Sequence, residues 1–444
     1  MKVLKFGGTS VGSAQRIREV ADIVCNETGQ IIVVLSAMSG TTNTLVKIGN
    51  ELRNNRTISA EAMIGDLESL YFSIIEELYE NQEIKSTIVD LVNQTFTYIR
   101  SFLFNSFNIF EERNLLAQGE LMSSAMFYSY LLELGINTDL VSALEFMRID
   151  KNGEPDEFYI KEKLEMLLKA ENKKSITITQ GFICKNAYGE IDNLKRGGSD
   201  YTATLIGAAV NAEEVQIWTD IDGFHNNDPR IVDNTSPISK MSFDVAAELS
   251  YFGAKILHPS SVLPAKKNNI PVRLKNTMEP QAQGTLITLD DEFAGIQAVA
   301  AKSNITAIKI KSDRMLMAYG FLRHVFEIFE RFKTSIDMIT TSEVAVSVTI
   351  DDDTYLGDIT DELRQFGNVE VDTDQTIICI AGNYAEDSAG IAASVINALK
   401  DIPLRMISYG GSLHNISVLI NTKYKDAALN SLSDNLFNGA QDAE

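Results

Sequence analysis

Lys5-Phe6-Gly7-Gly8-Thr9-Ser10 is the strongest chemical signal in the chain. A glycine pair between a strand and a helix lets backbone N–H groups close on an anion, near the positive end of the helix dipole. Gly7 and Gly12 have Walker A spacing, but Ser13-Ala14 follow where that loop requires Lys-Ser or Lys-Thr. Here the lysine precedes the glycines, at the C-terminal end of a strand, the edge of an open parallel sheet where ligands bind. Alone, the segment also fits a tight turn beside a solvated lysine. Lys195-Arg196-Gly197-Gly198-Ser199-Asp200-Tyr201-Thr202 repeats the pattern before a second helix. Arg196 offers a planar fork for a carboxylate. Ser199 or Asp200 also fits a plain helix N-cap, but capping needs neither the arginine nor both glycines. A third segment, Trp218-Thr219-Asp220-Ile221-Asp222-Gly223, runs on to Asp228-Pro229-Arg230, and Lys255 lies in Gly253-Ala254-Lys255-Ile256. Each of these cations alone reads as a solvated surface charge. Together, Lys5, Arg196, Arg230 and Lys255, all beside glycine or turn signals, point to one pocket for a polyanion. Two weaker pieces are Ser36-Ala37-Met38-Ser39-Gly40-Thr41-Thr42-Asn43, rich in hydroxyls, and Gln118-Gly119-Glu120-Leu121-Met122-Ser123. Glu120 by itself reads as a surface helix residue.

These segments need a scaffold, and the composition bounds it. The chain has 444 residues and a net charge of −22. That length implies two to four domains with a core needing no staples. The acidic balance argues against nucleic acid and against anionic membrane surfaces as partners, yet leaves room for a local basic pocket. Cys25, Cys184 and Cys379 stand far apart and only four histidines are present, so neither a zinc site nor a disulfide framework is expected. No metal-ligand set is assigned. Met1-Lys2-Val3-Leu4-Lys5 runs directly into a strand with no signal-peptide region, and no apolar run is long enough to span a bilayer. A cytoplasmic location is expected.

Strand and helix alternate through the first three-fifths of the chain. Strands are predicted at 3–6, 31–35, 139–141, 175–179 and 214–218, and helices at 14–24 and 200–210. One long helical stretch is expected over 43–133. Ile31-Ile32-Val33-Val34-Leu35 is apolar throughout, the mark of a strand buried on both faces of a parallel sheet. The fold class is therefore α/β, a parallel sheet covered on both sides. Past residue 295 the chain is strand-rich and repetitive. Gly320 and Gly390 each open an amphipathic helix and stand 70 apart. Ser347 and Ser417 lie in matching strands at the same offset, and Met338 and Met406 in matching segments 68 apart. Two copies of strand–helix–strand–strand–helix–strand are implied, with domains at 1–294, 295–375 and 376–444. The second copy is expected to nest with a strand at 303–312.

Taken together, KFGGTSV, SAMSGTTN, GELMS, KRGGSDYTA, WTDIDGFHNNDPR and GAKILHP, followed by the repeated tail, resemble the aspartate kinases of the amino acid kinase family. The resemblance covers essentially the whole chain. It implies a parallel-sheet sandwich kinase domain followed by two βαββαβ, ferredoxin-like ACT domains. It also implies ATP-dependent phosphorylation, with Mg2+, of the aspartate side chain to an acyl phosphate, the first step toward lysine, methionine and threonine. By this resemblance Lys5, Gly7, Gly8 and Ser36 meet the ATP phosphates. Thr42, Glu120, Arg196 and Ser199 hold aspartate, and Asp200 is the catalytic aspartate. Thr219, Asp220, His225, Arg230 and Lys255 line the nucleotide site, His225 standing where the family often has tyrosine. In the tail, Met315, Ala318, Phe321, Leu322, Ser335, Ile336 and Asp337 fall at the effector pocket of lysine-inhibited members, with Asp337 suited to a lysine ε-ammonium. Met317 and Ala318 replace a common His-Ser pair. Homodimerisation or higher assembly through the tails is expected. The physical reading agrees. A carboxylate nucleophile, with a reference pKa of about 3.9, needs no general base at neutral pH. The barrier is repulsion between anions, and cation placement lowers it. Glutamate, acetylglutamate or UMP remains an alternative acceptor. A catalytically dead amino-acid sensor is a different class, against which Lys5 and Asp200 both argue. A homoserine dehydrogenase fusion is not expected.

Overall fold

The computed structural model describes residues 1–169, 175–194, 197–254, 257–290, 293–311, 319–384 and 389–438. It divides into two compact units: Met1–Phe224 with Ser239–Phe243 and Leu257–Asp290, and His225–Ile238 with Asp244–Ile256 and Asp291–Glu444.

In the first unit, β1 (Lys2–Phe6), β2 (Ile31–Leu35), β3 (Thr138–Leu140) and β4 (Ile176–Gln180) precede the hairpin β5 (Ile183–Lys185) and β6 (Ile191–Asn193). β7 (Glu214–Thr219), β8 (Lys240–Ser242), β9 (Val272–Asn276) and β10 (Thr285–Thr288) follow. The main sheet runs β3-β4-β2-β1-β7-β9-β10-β8. It is parallel from β3 to β9, and β10 is antiparallel to β9. All five residues of β2 are buried, as a continuous apolar run requires when helices cover both faces. The helices are α1 (Ala14–Asn26), α2 (Thr41–Arg53), α3 (Thr57–Leu78), α4 (Gln82–Ser101), α5 (Ile109–Glu133), α6 (Ala143–Phe146), α7 (Glu157–Leu168) and α8 (Gly198–Val210). α9 (Phe243–Leu249) leads from β8 into the second unit, and α10 (Leu263–Lys267) returns to the first.

The single helical stretch expected over 43–133 is four helices, α2 to α5. Its breaks hold no glycine or proline, so periodicity passes over them. Side-chain caps mark two of the three breaks, at the heads of α4 and α5. Asn81 accepts from the backbone N–H groups of Glu83 and Ile84, and Asn108 with Glu111 forms a capping box at the head of α5.

The second unit is one antiparallel sheet. Its strands are β11 (Gly295–Lys311), β12 (Ile339–Thr341), β13 (Ala345–Ile350), β14 (Asn368–Asn383), β15 (Leu404–Ser408) and β16 (Asn415–Asn421), ordered β12-β13-β11-β14-β16-β15. α11 (Phe321–Arg331), α12 (Leu356–Leu363), α13 (Ile391–Ala398) and α14 (Lys425–Ser433) complete it. The two long strands are each shared by both repeats. Residues 305–311 of β11 pair with β13 and the first part of β14, whereas 295–302 pair with 377–383. Asn304 and Asp374, 70 residues apart like the repeat glycines, both adopt positive φ (62° and 54°), and the register of β11 slips between Lys302 and Ile305. The stretch lying against the second repeat is thus 295–302, and 305–311 belongs with the first. This differs from the expected nesting at 303–312, because a strand long enough to cross two repeats looks in sequence like one strand. Gly320 and Gly390 are the N-cap residues of α11 and α13, at φ 87° and 90°, a conformation that favours glycine. The separation of the units also differs from a cut at 294. Ile231 and Val232 pack into the second repeat's core with Ile378, Val395, Val418 and Leu429.

Candidate active site

The strands β1, β2, β4, β7 and β9 end on one edge of the parallel sheet, and the predicted loops leave from it. Lys5, the next-to-last residue of β1, places its ammonium 2.7 Å from Asp200 Oδ1 in the first turn of α8, with both side chains mostly enclosed. Close backbone approach makes this convergence possible. A Cβ on Gly8 would lie 2.8 Å from the Ala37 carbonyl oxygen, and one on Gly181 would lie 2.3 Å from the Ser199 Cβ. Gly197 starts α8 at φ 68°, where a side chain would strike Ser261. Ser36 Oγ donates to Ser199 Oγ at 2.9 Å, joining the loop after β2 to the helix carrying Asp200. The glycine loop is tied sideways as well. The Ser39 amide donates to the Gly8 carbonyl, and Ser10 Oγ sits 2.8 Å from Thr277 Oγ1 beyond β9.

Glu120 is a buried residue on α5, not the surface residue its sequence setting alone suggests. Its Oε1 accepts from the Ala37 amide at 3.4 Å, and its Oε2 has no hydrogen-bond partner among the described residues. Burial pushes its pKa up to about 8, against the pull of backbone amides. Gly119 lets α5 approach this closely, since a Cβ there would lie 2.9 Å from that of Ala37. A buried carboxylate with a spare oxygen suits an ammonium. Thr42 is half-buried in the first turn of α2, and its neighbour Thr41 spends its hydroxyl on Tyr71 at 3.2 Å. Thr219 ends β7 and donates to Asp220 Oδ1 at 3.1 Å, and Asp220 is exposed.

Arg196, Lys255, Met315 and Ala318 fall outside the described residues. His225 and Arg230 belong to the second unit. There His225 Nδ1 lies 3.1 Å from Thr235 Oγ1, and Arg230 grips Asp228 through two bonds of 2.9 and 2.7 Å. That grip holds the Asp228 carboxyl below its usual range. Phe321 and Ile336 pack into the first repeat's core, whereas Leu322 and Ser335 are exposed. Asp337 does not await an ammonium. Its Oδ1 already accepts from Lys302 Nζ and from the Tyr251 hydroxyl, each at 2.8 Å. Sequence reasoning passed over Gly181 and gave Ser123, quoted only as the end of its segment, no role. Gly181 follows a strand as Gly7 does, which is a readable signal. Ser123 donates to the Ser36 carbonyl at 2.8 Å, one turn after Glu120.

The amino acid kinase family pattern matches residues 1–276, and an ACT domain pattern matches 378–436. The lysine-sensitive aspartokinase 3 of Escherichia coli is 35% identical over 98% of this chain and 99% of its own. The chain belongs to the aspartokinases. Two crystal structures of E. coli aspartokinase III agree with this aspartokinase fold, each with a TM-score of 0.83 and covering 98% of the chain. One, holding lysine and aspartate in the T-state, is 34% identical and covered over 99% of its length; the other, holding aspartate and ADP in the R-state, is 33% identical and covered over 100%.

Proposed function

We propose that this aspartokinase transfers the γ-phosphoryl group of ATP to the side-chain carboxylate of L-aspartate. The observation that carries the reading is the buried Glu120 carboxylate, half unpartnered among the described residues, on the strand edge that also holds the Lys5–Asp200 pair. Glu120 takes the substrate's α-ammonium, aided by Thr42, and Arg196 takes a carboxylate. Gly7 and Gly8 present backbone to the phosphates, with Ser36 beside them. Lys5 offsets charge developing on the transferred phosphoryl oxygens, and Asp200 holds the Lys5 ammonium in place. Ser199 is fixed by Ser36 at the mouth of α8. The family resemblance assigns Thr219, Asp220, His225, Arg230 and Lys255 to the nucleotide, and Arg230 is paired here with Asp228. Mg2+ enters on the nucleotide. No group of three or more His, Cys, Asp or Glu side chains converges among the described residues, so the ion rests chiefly on phosphate oxygens, its habit in kinases. The E. coli relative's complex with aspartate and ADP supports the substrate pair, and its lysine complex supports lysine as effector.

The product feeds lysine, threonine and methionine synthesis, and lysine inhibits through the tail from a site including Met315, Ala318, Leu322, Ser335 and Asp337. The kinase domain is 1–294 less the segments 225–238 and 244–256, which group with the tail, and the regulatory part is two ACT domains that dimerise. A cytoplasmic enzyme fits a chain in which no described helix is long and apolar enough to cross a membrane. The test is trapping with hydroxylamine. Mg-ATP with aspartate is expected to give aspartyl hydroxamate, and Lys5→Ala to lower kcat about a hundredfold or more. Faster turnover of glutamate or UMP than of aspartate would overturn the assignment.

A further inference from the structure

We propose that Lys302 is an internal occupant of the effector's ammonium site, and that Tyr251 relays its displacement into the 250–254 segment. The proposal rests on the lysine-effector reading given above. The Lys302 ammonium lies 2.8 Å from Asp337 Oδ1 and 2.8 Å from Asp351 Oδ2, and 4.5 Å from the centre of the Tyr251 ring. The Tyr251 hydroxyl donates to the same Asp337 oxygen at 2.8 Å. The Asp337 side chain is fully enclosed, and its Oδ2 has no partner among the described residues. A cavity of about 310 Å³ reaches Asp337, lined also by Glu248, Tyr251, Ser408, Ser412 and Asn415. The chain therefore supplies, from its own side chain Lys302, the group that a free lysine brings.

Two ammonium ions on one enclosed carboxylate repel each other strongly, because little water screens them. An amino acid that reaches Asp337 must compete with Lys302, which keeps Asp351 as a second partner. Burial works against the charge on Lys302, but the two carboxylates outweigh it and hold its pKa above the ordinary lysine value. Competition of this kind lowers the apparent affinity of the effector.

The displacement has somewhere to go. Tyr251 loses the cation over its ring, a contact worth more when partly desolvated. Two residues later Gly253 has φ 134°, and a Cβ there would lie 2.2 Å from the carbonyl oxygen of Ala301, the residue before Lys302. The 250–254 segment is thus clasped to β11 by backbone contact at one point and by the Tyr251–Asp337 bond at another. An effector that separates Lys302 from Asp337 prefers a different setting of this clasp, the differential interaction that inhibition requires.

The experiment pairs calorimetry with L-lysine and hydroxamate assays on the full-length wild type, Lys302→Gln and Tyr251→Phe. Lys302→Gln is expected to bind lysine about tenfold tighter, since its competitor is gone. Tyr251→Phe is expected to bind lysine within about threefold of wild type yet keep more than half its activity at saturating lysine. Uninhibited kcat should be unchanged in both. Lysine binding unaltered or weakened in Lys302→Gln overturns the internal-occupant role. Full inhibition of Tyr251→Phe overturns the relay, and that conservative variant reports even if Lys302→Gln folds poorly. Wild-type protein that takes up no lysine removes the effector reading and this proposal together. Wild type that binds, with variants matching it, removes this proposal alone.

Discussion

Glu120 shows how burial turns a common residue into a selective one. Its carboxyl, ordinarily near 4.5, is raised to about 8, so the empty site holds it mostly neutral at pH 7. An ammonium binds the ionised form, and that fraction grows as pH rises through about 8. The kcat/KM for aspartate, which reports free-enzyme groups, is therefore expected to climb from about pH 6 to about pH 8, by up to tenfold per unit. Glu120→Gln should flatten that climb and lower kcat/KM throughout. The stability sign runs the other way. A folded pKa above the unfolded one means stability is full below 4.5 and is lost as pH rises through about 8. Glu120→Gln should thus melt higher than wild type near pH 9, and the gap should shrink toward pH 5. A melting gap that does not change with pH would refute the assignment of that pKa to Glu120. Nothing in the local sequence separates this glutamate from a surface one. Its burial depends on Gly119 touching Ala37, 82 residues away in the chain, and only the family resemblance named it.

At the level of elements, the site is a set of loops held by close backbone approaches. Gly8→Ala tests this directly. Its Cβ would meet a carbonyl oxygen at 2.8 Å, and backbone cannot swing aside as a side chain can. Overpacking of this kind costs about 1–3 kcal/mol, and the loops after β1 and β2 should part together. The KM for ATP and for aspartate should rise in concert, with a lower urea midpoint. Gly65→Ala in α3 is the control, since nothing lies within 4 Å of its added Cβ, and helix propensity favours it by about 0.5–1 kcal/mol. Retained midpoint and both KM values in Gly8→Ala would show that the loops do not depend on each other. These elements were largely legible. β2 follows from its apolar run, β1, β4 and β7 from shorter strand-like stretches, α8 from its glycines, and the repeat from one constant offset. The breaks between α2 and α5 were not, because they hold no glycine or proline and two of them are marked only by side-chain caps. Nor was the Lys302–Asp337–Tyr251 cluster, whose members are separated by 35 and 86 residues. No periodicity carries such a pairing.

At the scale of the whole molecule, charge bears on whether two copies associate. The six-stranded sheet leaves β12 and β15 as its ends, and end strands are ready templates for another chain. Tyr319, Leu322 and Phe326 are exposed at and beside the start of α11, an apolar group that a partner would cover. Each copy carries −22, so two copies repel over long range. A dimer made through apolar and backbone contacts must overcome that repulsion, and salt relieves it once the Debye length falls to about 8–10 Å. Light scattering on the full chain should therefore give twice the protomer mass. The association should tighten as NaCl rises from about 20 to about 300 mM. Phe326→Glu should dissociate it, adding a charge where the partner would desolvate it. The reverse salt response, with dissociation on adding NaCl, would mean that ion pairs hold the copies together and that the apolar group at α11 is not the interface.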